Sequence, residues 1–176
     1  MTIVRNVSDL PYYLDTFLST PPGRTHLYFE NTPLFPFGFG LSYAKFQYSS
    51  MLVRPNVIRA QQPAVDYFNV TCTVDHIGGM VSDEVTQVYG SFHRPSTGLA
   101  SIPRQQLLGF KRLYLLKNRS STHVTIQIML ADLHLIDPLR TMRLQEGTWT
   151  IYVGGGGPSS AKYGGSAVLQ STLVLQ

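Results

Sequence analysis

The sequence predicts an all-β chain. Only 14% of its 176 residues are charged, well below the usual quarter, while Tyr, Thr, Ser and Gln are plentiful. Several stretches alternate apolar and polar residues, which is the period of a strand with one buried face. No stretch carries the apolar face of an amphipathic helix, so a parallel α/β fold is not expected.

Seven strands are predicted, each bounded by turn residues. In residues 68–74, the apolar side chains fall on one face and the polar ones, Asn69 among them, on the other. The seven candidates are Lys45–Val53, Phe68–Val74, Glu84–Phe92, Leu107–Leu115, Val124–Leu130, Trp149–Val153 and Ala167–Leu175. Seven short strands over about 130 residues are typical of a fibronectin-III or immunoglobulin-like seven-stranded sandwich.

Residues 1–43 lack this period. They are rich in proline and aromatic residues, and PPG at 21–23 and PFGFG at 36–40 mark turns. Such a segment cannot easily close a core of its own. We therefore expect an irregular N-terminal extension over residues 1–43 that wraps another surface, and a sandwich domain over residues 44–176.

Charge and composition disfavour several classes of function. The net charge of +4 is spread over separate segments instead of forming the basic stripe of a nucleic-acid-binding protein. Cys72 is the only cysteine, which rules out an internal disulfide. No apolar run is long enough to span a membrane, and the first residues do not form a signal peptide.

Three N-x-S/T sequons, at Asn6, Asn69 and Asn118, are candidate glycosylation sites and indicate a secretory route. If the protein is secreted, we expect its true N-terminus to lie upstream of residue 1.

Five ordered motifs resemble one known family. They are GRTHLYF at 23–29, PLFPFGFGLSYAKF at 33–46, SDEVTQVYGSF at 82–92, RQQLLGFKRLYL at 104–115, and ADL at 131–133 followed by EGTWTIYVGG at 146–155. Together they resemble the C-terminal end of family 3 glycoside hydrolases, the β-glucosidases and β-xylosidases, where a linker leads into a fibronectin-III-like domain. The sequence departs from the family pattern at His76, at Ser82 and after Gly154, and these changes affect turns.

The resemblance implies that the catalytic nucleophile and acid/base lie in preceding domains, so no catalytic residue is assigned here. It implies an accessory, structural part of a secreted enzyme that hydrolyses O-glycosyl bonds, with no cofactor and with the catalytic domains as its partner. Arg24, Phe37, Phe39 and Tyr43 are then the expected interdomain contacts. Whether the whole enzyme prefers glucosides or xylosides stays open.

The positions of the acidic residues independently favour a chain without a catalytic carboxylate pair. Asp83 and Glu84 are neighbours on a predicted strand, so they point to opposite faces and cannot act as the carboxylate pair that glycoside hydrolysis needs. Asp132 and Asp137 flank a loop, where we expect them to cap turns.

No metal or phosphate site is expected either. His76, His93, His123 and His134 lack the spacing of metal ligands and are expected on the surface or in turns. The glycine run at residues 154–160 lacks the G-K-[ST] ending of a phosphate loop.

Glycine and tyrosine residues give further expectations. Gly38 and Gly40 are expected to adopt a positive φ or to allow close backbone approach. Gly109, which precedes Phe110, indicates either a bulge or a ring packed over bare backbone. Tyrosine residues expected on the surface could stack on sugar rings, namely Tyr48, Tyr67, Tyr152 and Tyr163.

Two hypotheses about the whole protein stay open. In the first, the chain is a fragment or truncated product of a secreted β-glycosidase, and Tyr12, Tyr13, Phe17, Phe35 and Phe37 form an exposed patch. In the second, it is a free-standing immunoglobulin-like module, with carbohydrate as a candidate ligand, and residues 1–43 pack onto the sandwich. The sequence does not decide between a fragment and a natural short product, nor the oligomeric state.

Overall fold

The computed structural model describes residues 2–93, 102–136, 140–158, 162 and 165–176. From Lys45 onward these residues are mostly in strands, and the described residues also form one helical turn, α1 (Thr25–Tyr28), and 3₁₀ turns at Val7–Asp9 and Leu130–Leu133. The strands are β1 (Lys45–Arg54), β2 (Val57–Ile58), β3 (Tyr67–Gly78), β4 (Ser82–His93), β5 (Gln106–Leu116), β6 (Ser121–Met129), β7 (Leu135–Ile136), β8 (Met142–Arg143), β9 (Gly147–Gly154) and β10 (Leu169–Leu175).

The strands form a two-layer sandwich. One sheet has the order β1-β3-β6 and is antiparallel throughout. The other has the order β2-β10-β9-β4-β5, where only the short β2 runs parallel to its neighbour, and β7 and β8 form a separate hairpin. The predicted all-β sandwich is confirmed, and each of the seven predicted strands is present. The two-residue strands β2, β7 and β8 were not predicted.

The core lies between the two sheets and consists of their alternating apolar residues. In β3, Phe68, Val70 and Val74 are at most 1% exposed, as the alternation predicts. From the opposite sheet, β9 contributes Trp149 and Ile151, which are equally buried. Each such side chain stabilises the fold by about 1.5–3 kcal/mol through removal of apolar surface from water. The central strands of both sheets are therefore fixed by the same period.

A bulge interrupts the pairing of β4 with β5. The register shifts between Val88, which pairs with Gly109, and Tyr89, which pairs with Leu107. The bulge near Gly109 is therefore confirmed. The alternative expectation of a ring over this glycine is wrong, because Ile126 and Ile128 cover its bare backbone and Phe110 is exposed.

The outer face of the five-stranded sheet is partly covered. Val88 and Gly90 face the core, so Tyr89 between them points outward, beside Tyr152 of β9. Tyr89 is nevertheless 0% exposed. Residues of the N-terminal segment lie over it, and this places part of residues 2–43 against the sandwich.

In the described part of the chain, no helix is long and apolar enough to cross a bilayer.

Candidate interdomain surface

The Gln87 side chain attaches the N-terminal segment to the sandwich. Gln87 Nε2 donates to the Gly38 carbonyl oxygen at 3.1 Å and to the Gly155 carbonyl oxygen at 3.3 Å. Its Oε1 accepts the Tyr89 hydroxyl at 2.7 Å. We call these four residues the Gln87 clamp. They join the segment, the end of β9 and the outward tyrosine of β4 in one network.

Gly38 is required by the geometry of the clamp. Its φ is +75°, in the left-handed region, and a Cβ would overlap Gln87 Oε1 and the Tyr89 hydroxyl. The expectation for Gly38 is confirmed. The same expectation for Gly40 is wrong, because Gly40 does not have a positive φ and a Cβ there would meet nothing within 4 Å.

Phe37 packs inward onto the clamp. Its ring stacks on His26 with centroids 4.0 Å apart, and its edge meets Tyr89 at 6.4 Å. Burial lowers the pKa of His26 and raises that of Tyr89, so both rings are held in the neutral form. Phe37 was predicted as an interdomain contact, and in this structure it contacts the sandwich itself.

Arg104 makes a second attachment. Its main-chain N–H donates to the Leu27 carbonyl oxygen at 2.7 Å, and its Nη1 donates to the Phe29 carbonyl oxygen at 3.1 Å. The end of α1 is thereby fixed beside the start of β5.

Arg24, another predicted contact, organises its own segment. Its Nη2 donates to the carbonyl oxygens of Tyr12 at 2.9 Å and Asp15 at 3.3 Å. Asp15 in turn accepts the Phe17 N–H at 2.8 Å, and this bond lowers the pKa of the Asp15 carboxyl. Residues 12–17 are therefore held in a defined turn without contributing to the sandwich core.

The earlier part of the segment exposes many large apolar side chains. We call this set the N-terminal apolar face, and its members are Ile3, Val7, Leu10, Tyr12, Tyr13, Leu14, Phe17 and Leu18. Tyr13 is 88% exposed and Phe17 is 71% exposed. Tyr12 and Phe35 are exposed as the first hypothesis predicts, whereas Phe37 is not. An isolated soluble domain rarely exposes so many large apolar side chains in one segment.

The remaining predicted contacts lie farther along the segment. Phe39 stacks on Phe35, with ring centroids 5.3 Å apart. Tyr43 is almost fully exposed. The interdomain role of Arg24, Phe37, Phe39 and Tyr43 stays a prediction.

Asp83 and Glu84 have separate partners. Asp83 accepts Arg112 Nη2 at 2.6 Å and the Leu115 N–H at 2.8 Å, and these hydrogen bonds lower the pKa of its carboxyl. Glu84 accepts the Tyr48 hydroxyl at 2.6 Å, and burial raises the pKa of its carboxyl. Their different surroundings agree with the expectation that adjacent strand residues point apart. Each carboxyl has a structural partner in the sandwich.

Tyr48 is the first of the four tyrosines expected on the surface, and that expectation is wrong for it. It is 3% exposed on the inner face of β1, where its hydroxyl bonds across the sandwich to Glu84. Tyr67 is exposed and Tyr152 half-buried, on the outer faces of different sheets, so they do not form one platform. Tyr163 lies outside the described residues.

His76 is also placed differently from the expectation. It is completely buried within β3, beside Phe46, whereas a surface or turn position was predicted. His93 and His123 are exposed and His134 is half-buried. Within the described ranges, no three His, Cys, Asp or Glu side chains lie close enough to hold a metal ion.

Several smaller expectations concern the surface. Asn6 and Asn118 are exposed, and Asn69 is half-exposed on the outer face of β3, as predicted. Asp132 lies in the 3₁₀ turn after β6, and its predicted capping role stays a prediction. Asp137 lies outside the described residues, as does the end of the glycine run at residues 159–160.

Comparison with known proteins is consistent with this geometry. Residues 84–156, from β4 to just after β9, match the family described as fibronectin type III-like domain. A β-xylosidase of Formosa agariphila is 31% identical over 157 residues, which cover 88% of this chain and 20% of the relative. An exo-1,4-β-xylosidase of Emericella nidulans is 30% identical over 141 residues, covering 75% of this chain and 18% of the relative. The chain carries a fibronectin type III-like domain and is similar to the C-terminal part of the β-xylosidases and β-glucosidases of glycoside hydrolase family 3.

Solved structures of this family share the fold. A β-glucosidase of Erythrobacter marinus is 26% identical, with a TM-score of 0.72 over 99% of this chain and 21% of that one. The β-D-glucoside glucohydrolase of Trichoderma reesei has a TM-score of 0.75 over 99% of this chain and 26% of that one. At 24% identity the second likeness shows the fold alone. The chain spans about a fifth of the length of the curated relatives it matches.

Proposed function

We propose that this chain is the accessory, non-catalytic region of a longer family 3 β-glycosidase, and that the N-terminal apolar face packs against the catalytic part. The observation that carries the proposal is the exposure of that face, above all Tyr13 and Phe17. Aromatic side chains supply the largest contact area per residue at interfaces. The hydrolysed bond is then an O-glycosyl bond of a β-xyloside or β-glucoside, as the names of the relatives suggest.

The two parts of the N-terminal segment support different roles. Its later part holds the Gln87 clamp and the Phe37 ring against the sandwich. Its earlier part exposes the N-terminal apolar face, although Arg24 holds part of this stretch in a fixed turn. A preformed apolar surface binds with a smaller loss of conformational entropy than a flexible one. The segment therefore suits a rigid connection between the sandwich and the catalytic part.

The free-standing module is the weaker alternative. It predicts that residues 1–43 pack fully onto the sandwich and leave no large apolar face. Phe37 meets that prediction, whereas Tyr12, Tyr13 and Phe17 do not. Contact with carbohydrate also stays a prediction, because Tyr67 and Tyr152 lie on separate sheets. Extracellular location and glycosylation at Asn6, Asn69 or Asn118 accompany the proposal and are testable by secretion and mass measurement.

The proposal is tested with the protein encoded by the full-length transcript. The catalytic part and this 176-residue chain are expressed as separate polypeptides, mixed and examined by size-exclusion chromatography. We expect a one-to-one complex, and loss of that complex when Tyr13→Asp and Phe17→Asp are combined. Gln47→Asp, at an exposed polar position of β1, is the control and leaves the complex intact.

Activity is measured on aryl β-xylosides and β-glucosides. We expect turnover by the full-length protein and none by the 176-residue chain. A transcript that encodes no catalytic domain contradicts the proposal. Turnover by this chain alone that one carboxylate substitution abolishes contradicts it equally.

A further inference from the structure

A second exposed apolar surface lies at the turn between β3 and β4. We call residues 77–81 the β3–β4 tip, since they connect a strand of one sheet to a strand of the other. Their sequence, Ile-Gly-Gly-Met-Val, contains no ionisable side chain. Ile77, Met80 and Val81 are 54%, 69% and 56% exposed. Turns in soluble proteins usually carry polar residues. The composition of this one therefore needs an explanation beyond making a turn.

Buried His76 holds the β3–β4 tip in place. Its Nε2 lies 2.8 Å from the Met80 carbonyl oxygen, and because a carbonyl only accepts, Nε2 carries the hydrogen and donates. The ring lies edge-on to Phe46, with centroids 5.1 Å apart. Its main-chain N–H and C=O are bonded to the β5–β6 turn, at Ser120 and Arg119. The tip is thus anchored to the core instead of moving as a free loop.

The β3–β4 tip contacts the end of the N-terminal segment. Gly79 has a φ of +95°, and a Cβ there would overlap the Tyr43 carbonyl oxygen and approach Ala44. Tyr43 and Leu41, at this end of the segment, are about nine-tenths exposed. The sandwich and the segment therefore meet here in one apolar surface.

We propose that the β3–β4 tip, together with Leu41 and Tyr43, is a second contact surface for the catalytic part of the same polypeptide. This inference rests on the proposed function and extends the contact from the N-terminal segment onto the sandwich itself. The matched region makes up only about a fifth of its relatives, so the larger remainder supplies the partner. Since the tip has no charge, it fits an apolar partner surface, where a charged side chain would be costly to bury.

The test compares two pairs of substitutions in the full-length protein. Met80→Asp with Val81→Asp introduces two charges at the β3–β4 tip. Ile136→Asp with Met142→Asp is the matched control, because these residues of the β7–β8 hairpin are 60% and 62% exposed. Limited proteolysis measures how fast the C-terminal region is released. We expect the tip variant to release it about tenfold faster, as for buried charges left without partners at an interface, and the control to match wild type.

Two further measurements separate the outcomes. Tyr13→Asp with Phe17→Asp, in the same full-length protein, tests the proposed function by itself. Faster release in this variant with no effect of the tip variant overturns the contact at the β3–β4 tip and leaves the proposed function standing. No effect in either variant overturns both.

The isolated 176-residue chain tests whether the tip is only internal structure. There we expect the tip variant to keep the wild-type melting temperature within about 2 °C, as for ordinary surface substitutions. An equally large destabilisation of the isolated chain overturns the proposal. So does a dimer of the isolated chain that the tip variant dissociates, since the partner is then a second copy.

Discussion

The sandwich and the N-terminal segment use their aromatic residues in opposite ways. In the sandwich, Phe68 and Trp149 are almost completely buried between the two sheets. In the segment, Phe17 and Tyr13 point to solvent, although the backbone around them is hydrogen bonded. The same residue type therefore stabilises the fold in one region and remains available for contact in the other.

The comparison also divides the segment itself. Its later part, with Phe37 and Gly38, covers Tyr89 and bonds to Gln87. Its earlier part, residues 3–18, bonds mainly to other residues of the segment, through Arg24 and the Ile3–Phe35 bridge. The predicted boundary between residues 43 and 44 lies just before β1, which begins at Lys45. We propose that the unit that folds together begins nearer Arg24.

The largest expected effect comes from two substitutions of the same residue type. Phe68→Ala removes a core side chain and should lower the free energy of unfolding by about 3–5 kcal/mol. Phe17→Ala removes an exposed one and should change it by no more than about 0.5 kcal/mol. Urea unfolding of both variants of this chain measures the difference. Equal losses would show that Phe17 belongs to the core and would break the comparison.

Two glycines in one turn give the next largest effect. Gly38→Ala places a Cβ against Gln87 and Tyr89 at a positive φ, so we expect a loss of about 1–3 kcal/mol. Gly40→Ala meets nothing and should change stability by at most about 1 kcal/mol, towards greater stability. Thermal unfolding distinguishes them. If Gly38→Ala is as stable as Gly40→Ala, the clamp does not hold the segment.

The smallest expected effect is a pH dependence inside the sandwich. Burial raises the folded-state pKa of Glu84 above its ordinary value of 4.5. The stability linked to its proton is therefore complete below about pH 4.5 and is lost as the pH rises through the raised pKa. Glu84→Gln keeps an acceptor for Tyr48 and should remove this loss.

The measurement is the difference in unfolding free energy between Glu84→Gln and wild type from pH 4 to pH 8. We expect this difference to favour the variant increasingly as the pH rises. Asp83, whose pKa is lowered, contributes a stability that is lost only below its ordinary value of 3.8, outside this window. A flat difference would show either that Glu84 is solvated or that the hydrogen bond from Tyr48 fully offsets the effect of burial on its pKa.

The sequence predicted the strands well because their signal is local. Alternation in residues 68–74 and 149–153 reports directly on which side chains face the core. The exposure of Tyr48 was predicted wrongly because its burial depends on Glu84, which lies 36 residues away on the other sheet. His76 was misplaced for a related reason: the turn between β3 and β4 brings its partner, the Met80 carbonyl, to the ring only in the folded chain.

The candidate surface was predictable only in part. Exposure of Tyr12, Tyr13 and Phe17 followed from proline-rich sequence without a period, which cannot bury its own rings. The inward packing of Phe37 did not, because it requires the outward face of β4 and the position of His26. Gly38 and Gly40 look alike in sequence, and only the approach of Gln87 separates them.

The most direct test of the central claim, that the later part of the segment belongs to the sandwich, is the thermal stability of two truncated chains. Removal of residues 1–23 takes away the whole N-terminal apolar face and should leave the melting temperature within about 3 °C of the full chain. Removal of residues 1–43 also uncovers Tyr89 and Gln87 and should lower it by about 5 °C or more. Equal melting temperatures for the two truncated chains would contradict the account.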